Sequence, residues 1–203
     1  MYKGRLVFAT NNPHKLEEAR HILSGNIQVL SLRDIGCNDE LPETHETLEE
    51  NAMEKARFVY ERYRVNCFAE DTGLEVASLG GQPGVYSARF AGPGKKDNDN
   101  ISLLLAKLNG IENRAAQFRA VIGIILNGRE FLFEGAVKGS ILEKPSGNKG
   151  FGYDPVFLPD GSQQSFAEMS LSEKSGISHR KKALEKLVDF LRAVKTGPVR
   201  RLF

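Results

Sequence analysis

Cysteine is scarce, no apolar run approaches membrane length, neither charge is in surplus and no stretch is of low complexity, and each shortage removes a class of protein. Cys37 and Cys67 form no CxxC pair and stand near no histidine cluster, which removes structural zinc and dithiol redox chemistry. The longest apolar stretch, residues 121–126, is about a third of a membrane span. The segment up to Phe8 has too few apolar residues for a secretory signal, so a cytoplasmic location with no membrane partner is expected. Lys+Arg 28 against Asp+Glu 26 leaves a net charge of +2, far from the polybasic balance of a duplex binder, so no nucleic-acid partner is expected. A Walker A loop is absent: Gly94-Lys95 is followed by Lys96 and has Arg89 where the first glycine belongs. What remains is an ordinary globular composition over 203 residues, long enough to bury about 70% of the unfolded surface without staples.

Periodicity supplies the architecture. Arg5-Leu-Val-Phe-Ala-Thr10 reads as a buried strand, and Pro13 suits the first position of a helix whose Leu16, Ala19, Ile22 and Leu23 share a stripe, stopped at Gly25. A second strand is expected over residues 27–30. Thr47 with Glu50 three residues on predicts the start of a helix that runs to Tyr63 with Leu48, Ala52, Ala56, Val59 and Tyr63 inward. Residues 67–69 read as a strand ending at Glu70-Asp71-Thr72-Gly73, and the glycines that follow, from Gly73 to Gly94, as a shaped loop. Residues 97–108 read as a helix. Residues 117–126 and 130–137 are strands joined by Asn127-Gly128, a strong hairpin signal, and an amphipathic helix begins at Ser178. Strand-helix alternation followed by a hairpin predicts an α/β fold: one bilobal domain over residues 1–203, with a mixed, curved sheet flanked by helices and a cleft between lobes.

Four places carry chemistry. Thr10-Asn11-Asn12-Pro13-His14-Lys15 lies where a strand meets a helix N-terminus, a junction whose free amides, dipole and Lys15 charge suit a phosphate, although such turns also cap helices for structural reasons. Glu43 and the pair Glu70-Asp71 offer the oxygens that Mg²⁺ takes alongside waters and phosphate, or else form solvated turns; Lys55 either projects toward them or lies on the surface. Phe151-Gly152-Tyr153-Asp154 offers aromatic faces to a flat ring, or belongs to the core. Lys174 and the pair His179-Arg180 at a helix start oppose the helix dipole, which is easier to understand if they face an acceptor.

Six stretches in this order, Ala9-Thr-Asn-Asn-Pro-His-Lys15, Glu50-Asn-Ala-Met-Glu-Lys-Ala56, Ala69-Glu-Asp-Thr-Gly-Leu74, Gly84-Val-Tyr-Ser-Ala-Arg-Phe-Ala-Gly92, Gly150-Phe-Gly-Tyr-Asp-Pro-Val-Phe157 and Ser178-His-Arg180, span nearly the whole chain. The sequence resembles the inosine triphosphate pyrophosphatase family, which hydrolyses non-standard purine nucleoside triphosphates (ITP, dITP, XTP) to the monophosphate and pyrophosphate. The resemblance implies that Thr10, Asn11, Asn12, Pro13, His14 and Lys15 bind the triphosphate, with Lys55 across the cleft and Thr72 at phosphate or sugar. It implies Glu43 and Asp71 as Mg²⁺ ligands, with Asp71 also the general base. Phe151, Gly152, Tyr153 and Asp154 would hold the base, and Lys174, His179 and Arg180 would read its 6-keto edge; a homodimer is implied as well. Here Thr72 replaces the frequent serine, and the segment before Glu50 lacks the glycine near His45 and the aromatic at Leu48 that the family usually has, so Glu40 and Glu46 compete with Glu43. Two alternatives are weighed: a pyrophosphatase for modified pyrimidine triphosphates, and a non-catalytic nucleotide-binding module.

Overall fold

The fold is that of a computed structural model, which describes residues 4–23, 27–94 and 96–194. The expected stop at Gly25 lies outside them. The chain runs through β1 (Gly4–Ala9), α1 (Pro13–Leu23), β2 (Ile27–Leu30), α2 (Leu48–Tyr63), β3 (Cys67–Val76), β4 (Pro83–Gly84), α3 (Asp97–Lys107), β5 (Ala115–Leu126), β6 (Arg129–Ile141), β7 (Phe157–Pro159), α4 (Leu171–Ile177) and α5 (His179–Ala193). Together the strands form one mixed sheet in the order β2-β1-β3-β5-β6-β7, with β4 on β3. β1 is parallel to β2 and β3, and the remaining pairs are antiparallel.

The period of two along a strand sorts the core into layers. Leu6 and Phe8 of β1 with Ala120, Ile122 and Ile124 of β5 face α1 and α5, and Phe8 stacks on Phe68 at 4.4 Å. Val7, Ala9 and Ile125 face α2, which buries Met53, Ala56 and Val59 against them. Both faces of the central strands are therefore covered, and their sequences read as continuous apolar runs. The far ends of β3, β5 and β6 enter a separate cluster with α3, containing Leu74, Val76, Leu104, Phe118, Val137 and Phe157. This second core shares the long strands with the two layers packed on the central sheet, in keeping with the bilobal expectation.

Thr47 caps α2 by accepting the amide of Glu50 at 3.2 Å, as the sequence signal indicated, and Ser178, expected as the start of the last helix, is its cap and accepts the amide of Lys181 at 3.1 Å. The Asn127-Gly128 hairpin is present, with β5 starting two residues earlier than expected and β6 ending four later. β3 does not stop at the acidic pair. Its pairing with β5 continues without a break from Cys67 to Val76, so Glu70, Asp71, Thr72 and Gly73 are mid-strand and not a turn. α5 lies close on β6, where a Cβ on Gly135 would run into the His179 carbonyl oxygen, so this strand position requires glycine.

Candidate active site

β3 distributes its polar residues by alternation. Asp71 faces α2, whereas Glu70 and Thr72 face α5, so the acidic pair does not act on one ligand together. On the α2 side, Lys55 projects inward. Its Nζ donates to Glu43 Oε1 at 2.8 Å, Asp71 Oδ1 at 2.8 Å and the Glu70 carbonyl at 3.0 Å. Burial works against the ammonium, but Asp71 and Glu43 outweigh it and hold Lys55 above its ordinary range. Arg89 approaches Glu43 from the second lobe, Nη1 to Oε2 3.5 Å.

On the α5 side, Arg180 is 1% exposed and donates from Nε and Nη2 to Glu70 at 2.6 and 2.8 Å and from Nη1 to Glu18. Thr72 donates its hydroxyl to Glu70, and Lys15 Nζ lies 3.4 Å from the same carboxylate. Burial opposes ionisation of Glu70, yet Arg180 and Lys15 hold it far below the usual carboxylate range. Lys15 is itself lowered, by burial first and then by Lys55 and Arg180, against Glu70. Lys174 donates to Asp154 Oδ2 at 2.7 Å and Glu18 Oε1 at 3.1 Å. Three cations and three carboxylates thus interlock inside the protein, the arrangement that makes buried charge tolerable.

Phe151 lies beside this network. Its ring stacks with His14 at 5.3 Å and 14°, and Lys174 Nζ stands 4.6 Å from its centroid. Asp154 also accepts the Phe151 amide at 2.9 Å, a turn that leaves no room for a side chain on Gly150. Burial pushes Asp154 above the usual carboxylate range in spite of Lys174. His179 stacks on Phe118 at 4.9 Å with its Nδ1 buried and unpartnered, and burial holds it well below its ordinary range, hence neutral.

A cavity of about 550 Å³ opens between the lobes, lined by residues 9–15, Glu40, Leu41, Glu43, Lys55, Glu70 and Ala88. The sequence-derived residues gather in and beside it, with four changes of detail. The first-turn amides expected to be free are not all so: Asn12 Oδ1 accepts those of His14 and Lys15 at 2.9 and 3.3 Å, leaving Lys15 as the main cation of this turn. Tyr153 belongs to the second core and gives its hydroxyl to the Ser87 carbonyl at 3.0 Å, so its ring packs away from a ligand. The Gly152 amide is taken by Asp97 at 2.7 Å. The acceptor that Arg180 faces is a pair of glutamates. Glu18 was missed altogether; its signal was an acid one turn after Lys15 and one turn before Ile22, on the margin of the apolar stripe.

For a divalent cation the donor set is suitable. Glu43 and Asp71 are close enough for one ammonium to span both, and hard oxygens of this kind are what Mg²⁺ takes, one or two per ion. Among the described residues no larger cluster of His, Cys, Asp or Glu competes.

Fold and site together define an α/β protein with one mixed, curved sheet and a cleft lined by paired lysines and carboxylates. The chain belongs to the Ham1 family, whose model matches residues 6–190. Proteins named dITP/XTP pyrophosphatase are similar to it across their length: that of Flavobacterium psychrophilum is 51% identical over 93% of this chain and 99% of its own, and that of Bacillus subtilis 44% over 92% and 96%. The Ham1 protein of Staphylococcus aureus superposes with a TM-score of 0.85 at 36% identity, covering 94% of this chain and all of that one. The resemblance drawn from the six motifs is thereby borne out.

Proposed function

We propose that this chain, as one domain, hydrolyses non-standard purine nucleoside triphosphates such as ITP, dITP and XTP to the monophosphate and pyrophosphate. The reading is supported by relatives named dITP/XTP pyrophosphatase and carried by one observation: Lys55 Nζ bridges Glu43 and Asp71 at the wall of a cleft whose other wall holds Thr10 to Lys15.

Glu43 and Asp71 would hold the Mg²⁺, which when bound neutralises phosphate charge. Asp71 accepts a proton from water as its oxygen bonds to the α-phosphorus, and the bond to the bridging oxygen breaks to release pyrophosphate. Lys15 and Lys55 draw charge from the leaving group. A purine that stacks on the His14 side of Phe151 takes the place of the imidazole. Its 6-keto group would meet the third N–H donor of Lys174, which stands beside Phe151, whereas adenine's amino group would leave a donor facing a donor. His179, neutral, offers one donor and one acceptor.

The test is product analysis with ITP, XTP, GTP, ATP and dUTP in the presence of Mg²⁺. Pyrophosphate from ITP and XTP, with little from ATP or dUTP, is expected; orthophosphate, or no turnover, removes the reading. The homodimer rests on the family likeness and is tested by light scattering. Among the described residues no helix is long and apolar enough to cross a membrane, and a cytoplasmic location is part of the same proposal.

A further inference from the structure

Asn51 is 1% exposed, in the first turn of α2, and its carboxamide touches both the acidic loop and the central strand. Its Oδ1 accepts the His45 amide at 2.9 Å and its Nδ2 donates to the His45 carbonyl at 3.1 Å, a two-bond clasp on the main chain two residues after Glu43. The same Nδ2 lies 3.3 Å from Asp71 Oδ2. Lys55, one turn further along α2, holds the other oxygen of Asp71 and the head of Glu43. Successive inward positions of one helix thus grip both carboxylates.

We propose that Asn51 is a positioning residue that sets the spacing of Glu43 and Asp71 for a divalent cation, a proposal that rests on reading those two carboxylates as the cation's ligands. The grips of Lys55 and Asn51 differ in what happens when a cation arrives. The bonds of Lys55 end on the oxygens a cation takes, so they must be exchanged. The clasp of Asn51 ends on main-chain atoms of His45 that no cation at this site uses, so it persists and keeps the loop in register. A second tie on the loop, from Glu54 to the Thr44 amide and hydroxyl at 3.0 and 2.7 Å, is exposed and makes no contact with Asp71. Only a side chain that both donates and accepts completes the clasp: leucine of similar volume makes neither bond, and alanine leaves the main-chain groups of His45 unpaired.

The experiment is Mn²⁺ binding to the full-length, nucleotide-free protein, read from the loss of the free-ion signal in electron paramagnetic resonance, for the unaltered chain and for Asn51→Ala, Asn51→Leu, Glu54→Gln and Asp71→Asn. Both Asn51 variants are expected to bind Mn²⁺ at least about 10-fold more weakly and to lose about 100-fold in kcat, with KM for ITP at saturating Mn²⁺ changed less than about threefold. Glu54→Gln is expected to keep the unaltered affinity. Unchanged Mn²⁺ affinity in the Asn51 variants, with any loss of activity following a lowered melting temperature, overturns the proposal. Should Asn51→Ala fail to fold, Asn51→Leu decides it. If Asp71→Asn binds Mn²⁺ as tightly as the unaltered chain, the ligand reading itself fails and takes the proposal with it.

Discussion

At the scale of single residues, the neighbours of a side chain decide which substitution is informative. Asp71 has one oxygen on Lys55 and the other on Asn51, so Asp71→Asn keeps volume, removes charge and basicity, and turns one of these two acceptors into a donor. Turnover of ITP is expected to fall by about 10²–10⁴ with nucleotide binding retained, as measured by calorimetry beside a pyrophosphate assay; normal turnover would end the proton-acceptor role. His179 gives a prediction in pH. Buried and neutral in the folded protein, it refuses a proton that the unfolded chain accepts below its ordinary value of 6.5. The stability it contributes is complete above 6.5 and is lost as pH falls toward its lowered folded value, with a slope of up to about 1.4 kcal/mol per pH unit. Glu18 and Glu70 are held below 4.5, so the stability they contribute is complete above that value and is lost only at lower pH. Between 6.5 and 4.5, therefore, His179→Phe is expected to flatten the fall in urea-unfolding free energy. An unaltered slope in that variant would show that other groups set it.

Whole elements were legible where period and punctuation agreed. The caps at Thr47 and Ser178, the Asn127-Gly128 turn and the stripes of α2, α3 and α5 all declare themselves locally, because each depends on bonds within a few residues. β3 past Asp71 did not. Two acids, a threonine and a glycine argue for a turn, and what extends the strand is ten consecutive pairings with β5, 40 or more residues away in sequence, which no local pattern contains. α4, seven residues long, and β7, three, are too short to build a period. The site followed the same division: Lys55 and Asp71 were readable as candidates, whereas the assignment of Glu70 to the opposite face, the buried role of Glu18 and the placement of Tyr153 in the core are consequences of register and packing. Gly135 tests an element-level dependence. Valine there would press on the start of α5, so Gly135→Val is expected to cost about 1–3 kcal/mol. It is also expected to raise KM for ITP, because His179 and Arg180 move with the helix. A variant with unchanged melting temperature and KM would mean that α5 shifts without consequence.

For the molecule as a whole, the inner carboxylates of the cleft are balanced before any cation arrives, since Glu43, Glu70 and Asp71 each already have a lysine or arginine. Exhaustive chelation is therefore expected to abolish turnover while leaving the melting temperature within about 2 °C, unlike a structural zinc domain, whose fold depends on its ion. Scanning calorimetry with and without chelator checks this, and unfolding on chelation would make the cation part of the fold. The strands also have a mechanical consequence. β5 and β6 pass through both lobes as 12 and 13 unbroken residues in register, and β3 accompanies them for 10. Among the described residues these strands tie the halves together, so widening the cleft would mean flexing a hydrogen-bonded ribbon along its length. Such a jaw would act as a leaf spring, stiff at its base in the paired strands, with the loops that rim the cleft as its adjustable part.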